Sequence, residues 1–231
     1  AEHGLTESHL QCPPELPVDH EEAERALVAA GAEGQGPDGA RSRLAMNCSG
    51  KHAAMLALCA AKGWPLDTYL DPQHPLQQLI AETLESLSGD PVSHVGTDGC
   101  GAPLMAISLT GLARAFRAIA LAPPDSPEGR VAEAMRAHPE FVAGTRRSDT
   151  WLMRELPGVV AKVGAECVQA VAFPDGRALA FKIYDGGNRA LGPVLARTLA
   201  TLGVDSPVLD RIADSPLIGG GERVGEVRAA F

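Results

Sequence analysis

Asn47-Cys48-Ser49-Gly50-Lys51-His52 runs straight into the apolar stretch from Ala53 to Ala61 and packs a thiol, a hydroxyl, an amine and an imidazole into the mouth of one predicted helix. Ser49 is the expected N-cap, since its hydroxyl can accept from the backbone N–H two or three residues on. The helix should then span about 50–62 and stop at Gly63, with Pro65 close behind. Lys51 and His52 fall in its first turn, where the helix dipole disfavours a cation. Lys51 is therefore expected to be neutralised, paired or coordinated, so this stretch promises chemistry as well as packing.

Outward from there, helices come first and strands later. Asp19 caps a helix over about 20–30, residues 31–43 form a Gly- and charge-rich loop, and 76–87 is amphipathic. The loop Gly96-Thr97-Asp98-Gly99-Cys100-Gly101-Ala102-Pro103 has three glycines in six positions, which predicts backbone at φ > 0 or in close approach to a neighbour. Residues 104–120 predict a central buried helix, and shorter helices are expected over 126–138 and 149–156. After Pro157 the texture changes. β-branched runs at 159–163, 167–173 and 178–184 surround the hairpin turn Pro174-Asp175-Gly176. Helices over 188–202 and 206–213 follow, then a strand near 223–228. The expectation is a single α+β domain over 1–231. About 1–156 would be mainly helical, and about 157–231 antiparallel strands with packing helices.

The 231 residues are 45% apolar, enough for a proper core. A net charge of −9 with no basic stripe argues against a nucleic-acid or anionic-membrane partner. No apolar run approaches the roughly 18 residues of a spanning helix. Five scattered cysteines fit reduced thiols, hence a cytoplasmic setting, better than a disulfide framework. Lysine occurs only at positions 51, 62, 162 and 182, while every other basic residue is Arg, so each lysine draws attention.

Cys48 and His52 lie one helical turn apart, and the glycine-rich loop could bring Cys100 to them, an assortment of soft ligands that suits zinc. The competing reading is that these are ordinary buried thiols, as is expected for Cys59 and Cys167; Cys12, before two prolines, is expected to be inert. Cys48 three residues before Lys51 also fits a thiol activated by an amine at a helix N-terminus, against a Lys51 that is simply solvated. A phosphate loop is excluded, because position 45 is Ala and residue 52 is His. Lys162 lies in an otherwise apolar strand and should face a cleft or snorkel out. Asp98 could hold a substrate ammonium or merely make an Asx-turn. Lys182 and Asp185 belong to the polar end of the hairpin. His3, His9, His20, His74, His94 and His138 read as surface or cap residues.

Together, NCSGKHAAML (47–56), GTDGCGAPL (96–104), VVAKVGAE (159–166) and ALAFKIYDGGNRA (178–190) resemble the rhizobial-type (class 3) L-asparaginases, from about Gly4 to the C-terminus. The resemblance implies a serine β-lactamase/glutaminase-like fold, a homodimer, and hydrolysis of L-asparagine to L-aspartate and ammonia by acyl transfer. It implies zinc held by Cys48, Lys51 and Cys100, with His52 a neighbour on the substrate side. It also implies Asp98 as a catalytic or substrate contact and Lys162 as a catalytic amine beside a serine. Two departures stand out. The Ser-x-x-Lys nucleophile and the Ser-His-Ser-Gly segment of that family occur nowhere in these residues, so the chain is expected to lack an N-terminal segment that carries them. Cys167 stands where the family usually has Gly. Two rival expectations follow: a zinc-binding, non-catalytic remnant, and a thiol amidohydrolase using Cys48 with Lys51.

Overall fold

Asp19 accepts from the N–H groups of Glu21 and Glu22 and so starts helix α1 (His20–Ala32), as its sequence position predicts. It belongs to a computed structural model that describes residues 4–231, which leaves His3 outside the described residues. The chain divides into two compact units, Ala1–Ser86 with Pro91–Ile107, and Leu87–Asp90 with Ser108–Phe231.

In the first unit a one-turn helix α2 (Gly36–Gly39) lies inside the stretch expected to be loop. Helix α3 (Ser49–Lys62) ends at Gly63, whose φ of +67° is the left-handed stop that glycine supplies. The start differs from expectation. Cys48 takes the cap position, Ser49 is the first helical residue, and no side chain caps the end. Helix α4 (Pro75–Ser88) leads towards an antiparallel hairpin of β1 (His94–Thr97) and β2 (Pro103–Ala106), in register Thr97↔Pro103 to His94↔Ala106. Leu56 and Cys59 from α3 pack with Leu10, Cys12, Tyr69, Leu76, Cys100 and Ala102, so Cys12 and Cys59 are core thiols. His74, expected at the surface or as a cap, is buried. It is a cap of a kind, since its Nδ1 accepts the Leu76 N–H.

The long helix expected over 104–120 is split. Leu104–Ala106 pair with β1, and helix α5 (Leu109–Leu121) begins only after Ser108, whose hydroxyl accepts the Gly111 N–H at 2.9 Å. Leu109 and Leu121 are exposed and the helix buries small residues, Gly111, Ala115 and Ala120, so it is not wholly interior. Next come α6 (Pro127–Ala137), capped by Ser126, then the short α7 (Pro139–Ala143) and α8 (Ser148–Glu155). The sheet follows in the order β3-β4-β5, all antiparallel: β3 (Val160–Gly164), β4 (Val168–Ala172) and β5 (Ala178–Lys182). Helices α9 (Leu191–Thr201) and α10 (Val208–Ala213) precede a last hairpin of β6 (Pro216–Gly219) and β7 (Glu222–Glu226).

Strand alternation gives this sheet two apolar faces. Ala161, Val171 and Leu179 pack with Leu152, Leu195, Leu199, Val208 and Ile212 from α8, α9 and α10. Val160 and Ala172 pack with Ala120 and Ala132 from α5 and α6. Each fully buried leucine here stabilises by about 1.5–3 kcal/mol relative to leaving it in water. Helices beside small antiparallel sheets make the fold α+β. Among the described residues no helix is long and apolar enough to cross a membrane.

Candidate functional site

The first unit brings its polar motif residues together. The Asp98 carboxylate sits at the end of β1, with its peptide N–H on the Ala102 carbonyl and its own carbonyl accepting from Gly101. Gly101, at φ +86°, makes that reversal; Gly96 and Gly99 need no such freedom. The carboxylate accepts from the Gly99 N–H at 2.8 Å, the Lys51 ammonium at 2.9 Å and the Cys100 thiol at 3.3 Å. The sulfurs of Cys48 and Cys100 and a carboxylate oxygen of Asp98 lie within 4.8 Å of one another. Asp98 therefore opens a backbone turn closed by the Gly101 N–H, not an Asx-turn, since its side chain accepts from the next residue's N–H, and it holds a cation at once.

Electrostatics follow from this crowding. Burial pushes the Cys48 thiol up, and the neighbouring Cys100 and Asp98 add to that while Lys51 pulls the other way. A helix N-terminus alone would lower it, so the side chains around Cys48 run against an activated thiolate. Burial opposes ionised Asp98, but hydrogen bonds from Lys51, Cys100 and Gly99 hold it below the ordinary carboxylate range. Burial likewise opposes the Lys51 ammonium, and the Asp98 hydrogen bond with the nearby sulfurs outweighs it, raising the amine. The first-turn cation is paired.

His52 is fully buried beside this cluster. Its Nδ1 meets the Tyr69 hydroxyl at 2.5 Å, the Tyr69 oxygen also accepts the Gln11 N–H at 3.1 Å, and its Nε2 is buried without a partner. Burial, helped by the Lys51 charge, lowers its basicity, so the ring is neutral. Nothing in the sequence pointed to Tyr69, which lies 17 residues from His52 in a loop.

A model of one protein family, L-asparaginase II, matches residues 1–229. The chain belongs to the L-asparaginase II family. No individual curated protein matches it. Membership agrees with the resemblance carried by the motifs around Cys48, Asp98, Lys162 and Lys182.

The second unit holds the other residue singled out in this L-asparaginase II chain. Lys162 lies mid-strand in β3, opposite Ala170, which in turn faces Ala180. It is half-buried and its ammonium donates to the Val163 carbonyl. Lys182 does the same one residue on, donating to Ile183 at 2.6 Å. By register the two lysines occupy the same face of the sheet. Beside them the chain turns through Glu166 and Cys167, both left-handed (φ +53° and +58°). The Cys167 thiol is buried and donates to Asn188 Oδ1 at 2.9 Å. The sequence reading overlooked Asp149 and Gln169, both buried polar residues next to this strand. Asp149 lay hidden as an ordinary acid in a helix's first turn.

Proposed function

We propose that this L-asparaginase II family member is an amidohydrolase that converts L-asparagine and water to L-aspartate and ammonia by acyl transfer. The observation that carries the reading is the cluster of Cys48, Lys51, Asp98 and Cys100 on two motifs remote in sequence, in a chain whose family is shown. In the chemistry, a nucleophile adds to the side-chain amide carbon, the nitrogen takes a proton and leaves as ammonia, and water releases the acyl group as carboxylate. Lys162 is the amine assigned to move the proton. Asp98, an anion at the edge of a half-exposed cluster, suits the substrate α-ammonium.

Two thiols beside an amine and a carboxylate fit zinc by donor type. Cys48, Lys51 and Cys100 would hold the ion, with Asp98 alongside and His52 behind. Bound there, zinc would supply charge to position the substrate or a water. Lys51 must give up its proton to serve as a ligand, so binding should release protons. The same reading makes the protein a homodimer, for which light scattering is the check.

Ammonia release from L-asparagine by this chain is the test. Release that ends on Lys162→Ala supports the assignment. Release that persists in Lys162→Ala removes Lys162 from the mechanism, and release that ends only on Cys48→Ala with zinc retained would favour the thiol reading. A chain that binds zinc and asparagine without turnover would fit the non-catalytic remnant.

A further inference from the structure

Asp149 is fully buried in the first turn of α8, and nothing assigned so far uses it. An acid in a first turn ordinarily serves its own helix's dipole, and no side chain caps this helix. Both of its oxygens go to the sheet. Oδ2 accepts the Val163 N–H at 2.7 Å and Oδ1 accepts from Gln169 Nε2 at 2.9 Å. Gln169 lies on β4 directly opposite Val163 and is itself fully buried, with its Oε1 unpartnered. Lys162 and Arg147 are the cations whose fields reach the carboxylate.

β3 is an edge strand, and an edge leaves every second residue's peptide groups without a strand partner. The Val163 N–H leaves the ladder sideways. By antiparallel alternation, Lys162 and Ala170 are then the pair that exchanges both ladder hydrogen bonds. The Val163 carbonyl points outward too, and it accepts the Lys162 ammonium. The edge at Val163 is thus closed on its N–H side by Asp149 and on its carbonyl side by Lys162.

We propose that Asp149 is a positioning residue for Lys162: its carboxylate anchors the edge-strand backbone next to the lysine and so fixes where the amine is presented. The idea rests on the reading of Lys162 as the working amine. A buried carboxylate is a costly anchor if only a helix start were needed, which is why its reach to the strand matters.

Two variants test it. Asp149→Ala removes the anchor. Asp149→Asn keeps an acceptor for Val163, and a turned Gln169 amide can offer its orphan Oε1 to the new NH2 group. Amide exchange is read at Val163. Acylation of the four lysines by acetic anhydride is read peptide by peptide, with Lys62 as reference. In Asp149→Ala, exchange at Val163 should accelerate by about tenfold or more, the loss of one charge-assisted hydrogen bond. Lys162 labelling should change against Lys62 while Lys182 keeps its ratio. Asp149→Asn should hold both near wild type. A folded Asp149→Ala protein whose Lys162 labelling is unchanged overturns the proposal even if Val163 exchange accelerates, as does an Asp149→Asn protein that loses Val163 protection. If Asp149→Ala does not fold, Asp149→Asn decides alone: Val163 protection and Lys162 labelling both held support the proposal, and either one lost overturns it. Where turnover is measurable, Asp149→Ala should lower kcat with KM held, and Asn should restore it. Exchange and labelling need no turnover, so full activity in Lys162→Ala would sink the catalytic reading on which the idea rests, while those two readouts still decide separately whether Asp149 fixes the amine.

Discussion

Lys51 and Lys162 are the same residue type held by opposite means. In the first unit Lys51 stands on a helix start, 42% exposed, with its amine on a carboxylate from another motif. Side chains alone fix it, and a metal ion competing for Asp98 and the two sulfurs could rearrange it. In the second unit Lys162 is built into a ladder, with its ammonium on the next residue's carbonyl and the adjoining N–H tied to a buried acid. The first arrangement suits exchange of ligands. The second suits a group that must stay where it is. Substitutions in the first cluster should therefore alter binding more than folding, and substitutions around β3 should alter both.

The largest contrast is metal content. Cys48→Ala should reduce bound zinc to background by elemental analysis, whereas Lys162→Ala should leave it intact; zinc retained in Cys48→Ala refutes the assignment of that cluster. Next in size is the core beneath the sheet. Leu195→Ala removes a fully buried side chain packed among Leu152, Leu199 and Ile212. It should cost about 2–5 kcal/mol in urea unfolding, with the spread set by how far the cavity collapses. A loss under about 1 kcal/mol would mean that the packing around α9 is looser than it looks.

Local chemistry made much of this legible in advance. Asp19 and Ser126 cap where a capping residue should, Gly63 stops α3, and Pro174-Asp175-Gly176 joins β4 to β5. What failed turned on pairing and cap geometry that local propensity does not show. Leu104–Ala106 look helical beside 109–120 until β1 claims them. Cys48 displaced Ser49 at the cap with no side-chain hydrogen bond to announce it. Of the candidate site, the motif residues Cys48, Lys51, Asp98 and Cys100 were visible, and their convergence now has distances. Tyr69, Asp149 and Gln169 were not visible, because a buried polar residue is recognised only by what it touches.

Asp149 also gives the second unit a pH dependence of unusual sign. Burial raises its carboxyl above the ordinary value of 3.8, against hydrogen bonds from Gln169 and Val163 and the charges of Lys162 and Arg147. A carboxyl raised on folding contributes stability that is complete below the unfolded value and is lost as pH rises through the folded one. Wild type should thus lose stability relative to Asp149→Asn as pH climbs above about 4, read as the gap between their denaturant midpoints. A gap that widens in the opposite direction would mean that the two hydrogen bonds and the nearby cations outweigh burial.

The smallest effect separates two neighbours in the turn between β3 and β4. Glu166 and Cys167 both hold left-handed backbone, which costs an L-residue roughly 1–2 kcal/mol. Glu166 is exposed, so Glu166→Gly relieves the strain and loses little; what it gives back is the greater freedom of glycine in the unfolded chain. The net gain should be about 1 kcal/mol or less by thermal or denaturant unfolding. Cys167→Gly relieves the same strain but discards a buried thiol whose one S–H lies between Asn188 Oδ1 and the Gly186 carbonyl, nearer the former. Those contacts offset the relief, and Cys167→Gly should come out less stable than Glu166→Gly. If the order were reversed, the thiol would be filling space that the turn does not need filled, and strain alone would set the stability of this corner of the sheet.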